Sequence, residues 1–175
     1  MPLARTRSLF FLTFIACASI IGTVVYLQRA FGLTPCVLCI WQRWVFLLCA
    51  AMSLAAALHA PGTTGSRRYG VLLLLLASSG ATLAGAQVWL QTATADELIP
   101  VIATIERVLD FLFLGDLVDR LRLDASLCAE INWSLFGISL PEWSLLAFVG
   151  LALLALYPLR RASARLSGAE SRAED

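Results

Sequence analysis

The sequence predicts an all-α membrane protein whose four helices form an antiparallel transmembrane bundle. Of its 175 residues, 59% are hydrophobic and 14% are charged, a composition that is rare among soluble proteins. A helix needs about 20 residues to cross a hydrocarbon layer of about 30 Å. Four apolar stretches reach that length with their flanking residues, and they predict spans at 8–28, 40–60, 70–91 and 142–159. Short connections between the first three spans favour the antiparallel arrangement.

The first span is predicted to be a retained helix. Arg5 and Arg7 precede it, as basic residues precede the apolar core of a signal peptide. The apolar stretch is long, however, and no small-residue cleavage site stands before a polar domain. We therefore expect it to remain in the membrane.

The distribution of arginine predicts the orientation, since the chain has no lysine. Eight arginines lie at the two ends of the chain and between the second and third spans, and five lie on the other side of the bundle. By the positive-inside rule, both termini are predicted to be cytoplasmic. The start of the second span and the segment 92–141 then face outward. In a Gram-negative bacterium this is the periplasm, where disulfides persist, so the predicted location is the bacterial inner membrane.

The third and fourth spans carry local signals of packing and of a helix start. Ala77, Ala81 and Gly85 recur every four residues, and small residues at this spacing let helix backbones approach closely in lipid. Ser139 followed by Pro141 predicts the beginning of the fourth helix, because proline is favoured in the first turn.

The periplasmic segment 92–141 is predicted to contain an amphipathic helix between the third and fourth spans. Apolar residues recur at helical spacing over 102–113, while charged residues occupy the other face. Such a helix would bind membrane lipid through its apolar face or cover the bundle. The apolar face consists of Ile102, Ile105, Val108, Leu109, Leu112 and Phe113.

Cys36 and Cys39 form a Cys-x-x-Cys at the start of the second span, which is compatible with a metal site, haem attachment or a redox pair. Structural zinc needs about four ligands, and the only histidine, His59, lies at the far end of the same helix. Haem attachment needs histidine after the second cysteine, where this chain has Ile40. No metal is therefore expected, and a redox pair remains, with incidental packing as the alternative. The helix start would favour a thiolate through its dipole and unpaired N–H groups.

Arg43 is the candidate cofactor-binding residue. It follows Cys39 by four positions and Cys36 by seven, so the three side chains are predicted to share one helix face. An arginine at the membrane edge either snorkels toward water or serves a ligand. Next to two sulfurs, its charge would stabilise a thiolate and the oxygen of a reduced quinone. Cys17 and Cys49 lie in the middle of spans, where thiols usually act as small apolar side chains.

The run Pro35-Cys36-Val37-Leu38-Cys39-Ile40-Trp41-Gln42-Arg43 resembles the signature of the DsbB disulfide bond formation proteins. The likeness continues in Cys128-Ala129-Glu130, Trp133, Gly137, Pro141 and Trp143, and it covers essentially the whole chain as one domain, 1–175. It implies a disulfide oxidoreductase that reoxidises a periplasmic DsbA-like thioredoxin-fold protein and passes electrons to ubiquinone or menaquinone. The implied partners are membrane lipid, quinone and the DsbA-like protein, and no nucleic acid is expected.

The resemblance also implies roles for single residues. Cys36 and Cys39 would be the catalytic pair coupled to quinone, with Cys39 nearest the quinone. Arg43 would bind the ring oxygen of the quinone. Cys128 would be one member of a second, loop-borne cysteine pair that accepts electrons from the thiol partner.

The chain departs from the family pattern at the other loop cysteine, because no cysteine occurs from residue 92 to residue 127. We therefore interpret it as a divergent member. Two classes of function stay open, an enzyme and a non-catalytic or specialised membrane partner that keeps the fold and the inner pair. Cys128 is expected to approach Cys36, to pair with another chain or to be vestigial. Several relatives also carry Arg-His where this chain has Ala86-Gln87, so a basic group that aids quinone reduction is expected to be missing.

Overall fold

Four long helices dominate the computed structural model. It describes residues 2–32, 35–59, 61–94, 96, 99–101, 103–104, 107, 128 and 134–170. The helices are α1 (Pro2–Phe31), α2 (Val37–His59), α3 (Thr63–Thr92) and α4 (Leu140–Glu170). Each contains a stretch long and apolar enough to cross a membrane. The predicted helical membrane fold is confirmed.

Each helix packs most closely against its neighbours in the chain, and α1 also touches α4. Phe148 of α4 is fully buried and stacks on Phe46 of α2, with ring centroids 4.0 Å apart. Gly80 of α3 lies directly under this ring, so that a Cβ at position 80 would overlap it. The close approach of α3 and α4 therefore occurs at Gly80.

The small-residue face predicted for α3 was wrong at one end. Ala77 is fully buried, but a Cβ at Gly85 would have no neighbour within 4 Å. The residues that face the core are Ala77, Gly80 and Ala84. Steps of three and then four residues stay on one side of a helix with 3.6 residues per turn, whereas repeated steps of four drift around it.

A short hairpin leads into α4 and was not predicted. Its strands, β1 (Ser134–Leu135) and β2 (Ile138–Ser139), pair antiparallel. Phe136 and Gly137 between them have positive φ angles of 56° and 79°, as a two-residue mirror-image turn requires. Strands of two residues are too short to produce a recognisable hydrophobic alternation.

Glu142 caps the start of α4. Its Oε2 accepts hydrogen bonds from the Ser139 backbone N–H (2.6 Å) and from Ser139 Oγ (2.9 Å). This is the reciprocal half of a capping box, and it agrees with the predicted helix start. The cap ties the hairpin to the end of the bundle at which α2 begins and α3 ends.

Tryptophan surrounds this end of the bundle. Trp41 and Trp44 near the start of α2, Trp89 near the end of α3 and Trp143 near the start of α4 are all exposed. Exposed indole rings at one level of a spanning bundle are typical of an interfacial aromatic belt.

The predicted amphipathic helix lies largely outside the described residues, including its whole apolar face. Ala103, Thr104 and Arg107 are described and have helical backbone. Thr104 Oγ1 donates to the carbonyl oxygen of Pro100 at 2.8 Å, four residues earlier, which is a helical contact.

Candidate functional site

The start of α2 brings Cys36 and Cys39 together. Pro35 and Cys36 precede the helix, and the Ile40 N–H donates to the Cys36 carbonyl oxygen at 3.1 Å, closing the first turn. Cys36 is therefore the N-cap residue, and Cys39 lies three positions into the helix. Their Sγ atoms are 3.4 Å apart, and both are thiols. Because a disulfide measures about 2.0 Å, a small approach of the two sulfurs would suffice for the bond once an oxidant removes two electrons and two protons.

Gln87 of α3 contacts both sulfurs. Its Nε2 lies 3.4 Å from Cys36 Sγ and 3.2 Å from Cys39 Sγ, and it donates to each. Its Oε1 lies 3.6 Å from Cys39 Sγ, which donates to it. The side chain is 3% exposed. A polar amide is thus buried in the bundle and directed at the cysteine pair.

Gln42 of α2 orients that amide. Its Nε2 donates to Gln87 Oε1 at 2.8 Å, and Gln42 is also only 3% exposed. Because Gln42 binds the oxygen of the Gln87 amide, the nitrogen is the amide atom that lies closer to the sulfurs.

Cys128 lies against Cys36. Its thiol is hydrogen-bonded to the Cys36 thiol, and the residue is 2% exposed. The three predicted catalytic cysteines therefore form one continuous contact, from Cys128 through Cys36 to Cys39. The sequence left two possibilities for a functional Cys128, an approach to Cys36 or a pairing with another chain. In the structure Cys128 contacts Cys36. Cys36 itself is buried beneath this contact.

The pKa of the Cys36 thiol is raised, although helix-start chemistry alone predicts a lowered value. The largest cause is the hydrogen bond with Cys128, and burial also raises the pKa. The Cys39 thiol and the Cys39 backbone N–H act in the opposite direction, as expected at a helix N-terminus. A thiolate is therefore not favoured at Cys36 while its thiol is hydrogen-bonded to Cys128, and the prediction of one thiolate-prone sulfur in the pair stays a prediction.

We expect Cys128→Ala to lower the pKa of Cys36. The substitution removes the largest cause of the raised value and leaves the Cys39 N–H in place. More Cys36 is then thiolate at neutral pH, so the pH midpoint of its alkylation should move down. Iodoacetamide labelling of the reduced protein over a pH series, followed by peptide mass spectrometry, measures this midpoint. Cys17→Ala, in the bundle core, is the matched control and should leave it in place. A midpoint that stays fixed or rises in Cys128→Ala would contradict the assignment.

Arg43 is hydrogen-bonded to α1 and not to the cysteine pair among the described contacts. Its Nη1 donates to Gln28 Oε1 of α1 at 2.6 Å, whereas the cysteine pair meets α3. Arg43 nevertheless lies close to Cys39, since the two residues are four positions apart on the same helix. The Nε of Arg43 is buried and has no hydrogen-bond partner among the described residues.

Sequence reasoning noted Gln42 and Gln87 only as parts of family patterns, and it assigned no role at this site to them or to Gln28. A signal was present, because glutamine within an apolar span is costly and usually faces the bundle interior. It did not identify their partners.

Four spanning helices with three thiols in contact at one end define a membrane thiol–disulfide protein. The chain belongs to the DsbB family, since the family model described as Disulfide bond formation protein DsbB matches residues 6–158. Disulfide bond formation protein B 2 of Pseudomonas savastanoi pv. phaseolicola is 64% identical over 159 residues, 91% of each chain.

Two further relatives agree with this assignment. Disulfide bond formation protein B 1 of Pseudomonas aeruginosa is 42% identical over 149 residues, 85% of this chain and 91% of its own length. Disulfide bond formation protein B of Stutzerimonas stutzeri is 37% identical over 161 residues, 92% of this chain and 99% of its own length. The resemblance found in the sequence is confirmed, and the family is one of membrane disulfide-forming oxidoreductases.

Proposed function

We propose that this protein reoxidises a periplasmic DsbA-like thioredoxin-fold protein and delivers the electrons from Cys36 and Cys39 to a membrane quinone. The observation that carries the proposal is the contact of three thiols, with Cys36 hydrogen-bonded to Cys128 and 3.4 Å from Cys39. A non-catalytic partner would have no need for this arrangement. Family membership supports the same activity.

In this proposal Cys128 alone passes electrons from the thiol partner to the Cys36–Cys39 disulfide. In the oxidised enzyme Cys36 and Cys39 form the disulfide, and the Cys128 thiolate attacks Cys36 Sγ. A Cys36–Cys128 bond forms, and Cys39 leaves as a thiolate. The contact between Cys128 and Cys36 supports this step, because a short movement brings the two sulfurs to bonding distance.

The thiol partner then enters at Cys128. A partner thiolate attacks Cys128 Sγ, which releases the Cys36 thiolate and joins the partner to Cys128. The second thiol of the partner attacks this mixed disulfide, so the partner leaves oxidised and Cys128 regains its proton. The sum of the steps is one dithiol oxidised in the partner and one disulfide reduced at Cys36 and Cys39.

Arg43 fits a quinone, ubiquinone or menaquinone, as the cofactor. Its buried Nε has no acceptor among the described residues, and a quinone ring oxygen is a suitable acceptor. Gln28 holds the guanidinium through Nη1 and keeps the charge near Cys39. When bound, the quinone supplies the oxidising power by taking up two electrons and two protons to become a quinol.

The proposed location is the bacterial inner membrane, with both termini cytoplasmic and the cysteines facing the periplasm. The arginine asymmetry and the exposed tryptophans at the cysteine end support this orientation. At that surface a periplasmic protein would meet the end of the bundle at which the buried Cys128 lies, while quinone arrives from the lipid.

Quinone reduction by the purified protein tests the proposal. We expect the protein in lipid nanodiscs to reduce a soluble ubiquinone analogue when a reduced DsbA-type protein is added, with one quinone consumed per partner disulfide formed. The change in quinone absorbance and the partner thiol count measure the two sides of this balance. Cys36→Ser should abolish both, whereas Cys49→Ala in the core should not. Absence of quinone reduction by the folded wild-type protein with a panel of such partners would favour the non-catalytic class.

A further inference from the structure

The amide pair of Gln42 and Gln87 does more than join two helices. The Gln42–Gln87 hydrogen bond is by itself enough to link α2 and α3. Gln87 Nε2 instead lies 3.2 Å and 3.4 Å from the two sulfurs that exchange electrons. This donor belongs to a side chain that is 3% exposed, so water does not compete for the amide itself, whereas Cys39 is only partly buried.

We propose that Gln87 is a catalytic residue of the thiol-exchange step, which donates a hydrogen bond to the sulfur released when the Cys36–Cys39 disulfide opens. Gln42 is its positioning residue, because it holds Gln87 Oε1 and so keeps Nε2 turned toward the cysteines. The inference rests on the proposed function for its place in a catalytic cycle.

The chemistry of the step shows why a donor is needed. An incoming thiolate forms a bond to Cys36 Sγ, the Sγ–Sγ bond breaks, and both electrons of that bond stay on Cys39 Sγ. The rate of exchange rises as the leaving sulfur becomes better stabilised. A thiolate near the membrane has few water donors. Gln87 Nε2 lies closer to Cys39 Sγ, at 3.2 Å, than to Cys36 Sγ, at 3.4 Å.

A neutral amide suits this position for a second reason. A charged donor in the same place would be costly to bury, whereas the amide remains neutral at every accessible pH. Both ends of the Gln87 amide are paired in the reduced protein, so it need not reorganise when the sulfur acquires charge. Residue 87 should therefore add no pH dependence to the exchange rate of the wild-type protein.

The test is the rate at which dithiothreitol opens the Cys36–Cys39 disulfide in the full-length protein. We expect Gln87→Met to slow opening by about tenfold to a hundredfold, the range for losing one hydrogen bond to a charged group. Rapid acid quench, alkylation and peptide mass spectrometry follow the reaction. Gln91→Met, one turn further along α3, is the matched control. Its disulfide should open at a rate within about twofold of wild type, a smaller change than the loss of a hydrogen bond would cause.

Gln87→His separates a catalytic donor from a purely structural link. An imidazole restores an N–H and titrates near pH 6.5, so it should recover part of the rate and add an inflection near that pH. The wild-type profile should lack this inflection. Equal opening rates in Gln87→Met and Gln91→Met would overturn the proposal, as would a Gln87→His profile identical in shape to wild type.

The outcome is independent of the proposed function. Dithiothreitol opening needs neither a protein partner nor quinone turnover. A folded protein without quinone reductase activity would sink the proposed function, whereas the role of Gln87 stands or falls on the opening rates alone.

Discussion

Replacement of Cys39 by alanine is expected to trap a disulfide between Cys36 and Cys128. The variant lacks the sulfur that normally closes on Cys36, while Cys128 stays hydrogen-bonded to it. Under mild oxidation, Cys128 is then the nearby sulfur with which Cys36 can form a disulfide. Non-reducing peptide mapping should recover the crosslinked peptides in most of the protein, against little in wild type.

The control for this trap is Cys49→Ala. Cys49 is fully buried in the bundle core, so its loss should leave the inner disulfide intact and the Cys36–Cys128 bond rare. Cys128 recovered as a thiol in oxidised Cys39→Ala, together with full partner oxidation by Cys128→Ser, would contradict the relay. The inner pair would then work alone, and Cys128 would only cover it.

Replacement of Arg43 by methionine is expected to lower the rate of quinone reduction by about tenfold to a thousandfold. This is the range for removing one preorganised donor from a site where negative charge develops. Arg43→Lys should recover only part of the rate, because an ammonium lacks the planar set of donors of a guanidinium. Stopped-flow measurement of quinone absorbance with pre-reduced enzyme isolates this step from the reaction with the thiol partner.

Arg29→Met provides the matched control for Arg43. Arg29 is an exposed arginine in the last turn of α1, next to Gln28 in sequence, and its loss should leave quinone reduction unchanged. Wild-type kinetics in Arg43→Met would assign Arg43 to snorkelling at the membrane surface. A loss of helical signal in Arg43→Met but not in Arg29→Met would point to folding instead, and Arg43→Lys would then decide between the two.

Local patterns in the sequence determined the membrane fold and the chemical type of the site. The four spans follow from uninterrupted apolar composition, and the place of Cys36 and Cys39 at a helix start follows from where the second span begins. The cap formed by Ser139 and Glu142 was likewise readable, since a capping box joins residues three apart. These features depend on neighbours in the chain, so periodicity and spacing are sufficient to find them.

Only the tertiary structure decided which side chains meet the sulfurs. Gln87 and Cys39 are 48 positions apart, and Cys128 is further still from Cys36. Whether such residues touch depends on the rotation and depth of one helix against another, and the contact of Gly80 with Phe148 sets this for α3 and α4. The placement of α2 between α1 and α3 likewise brings Arg43 to Gln28 and Gln42 to Gln87, although the two residues are adjacent in sequence. Helical periodicity defines the faces of each helix, but packing between helices determines which face each partner receives.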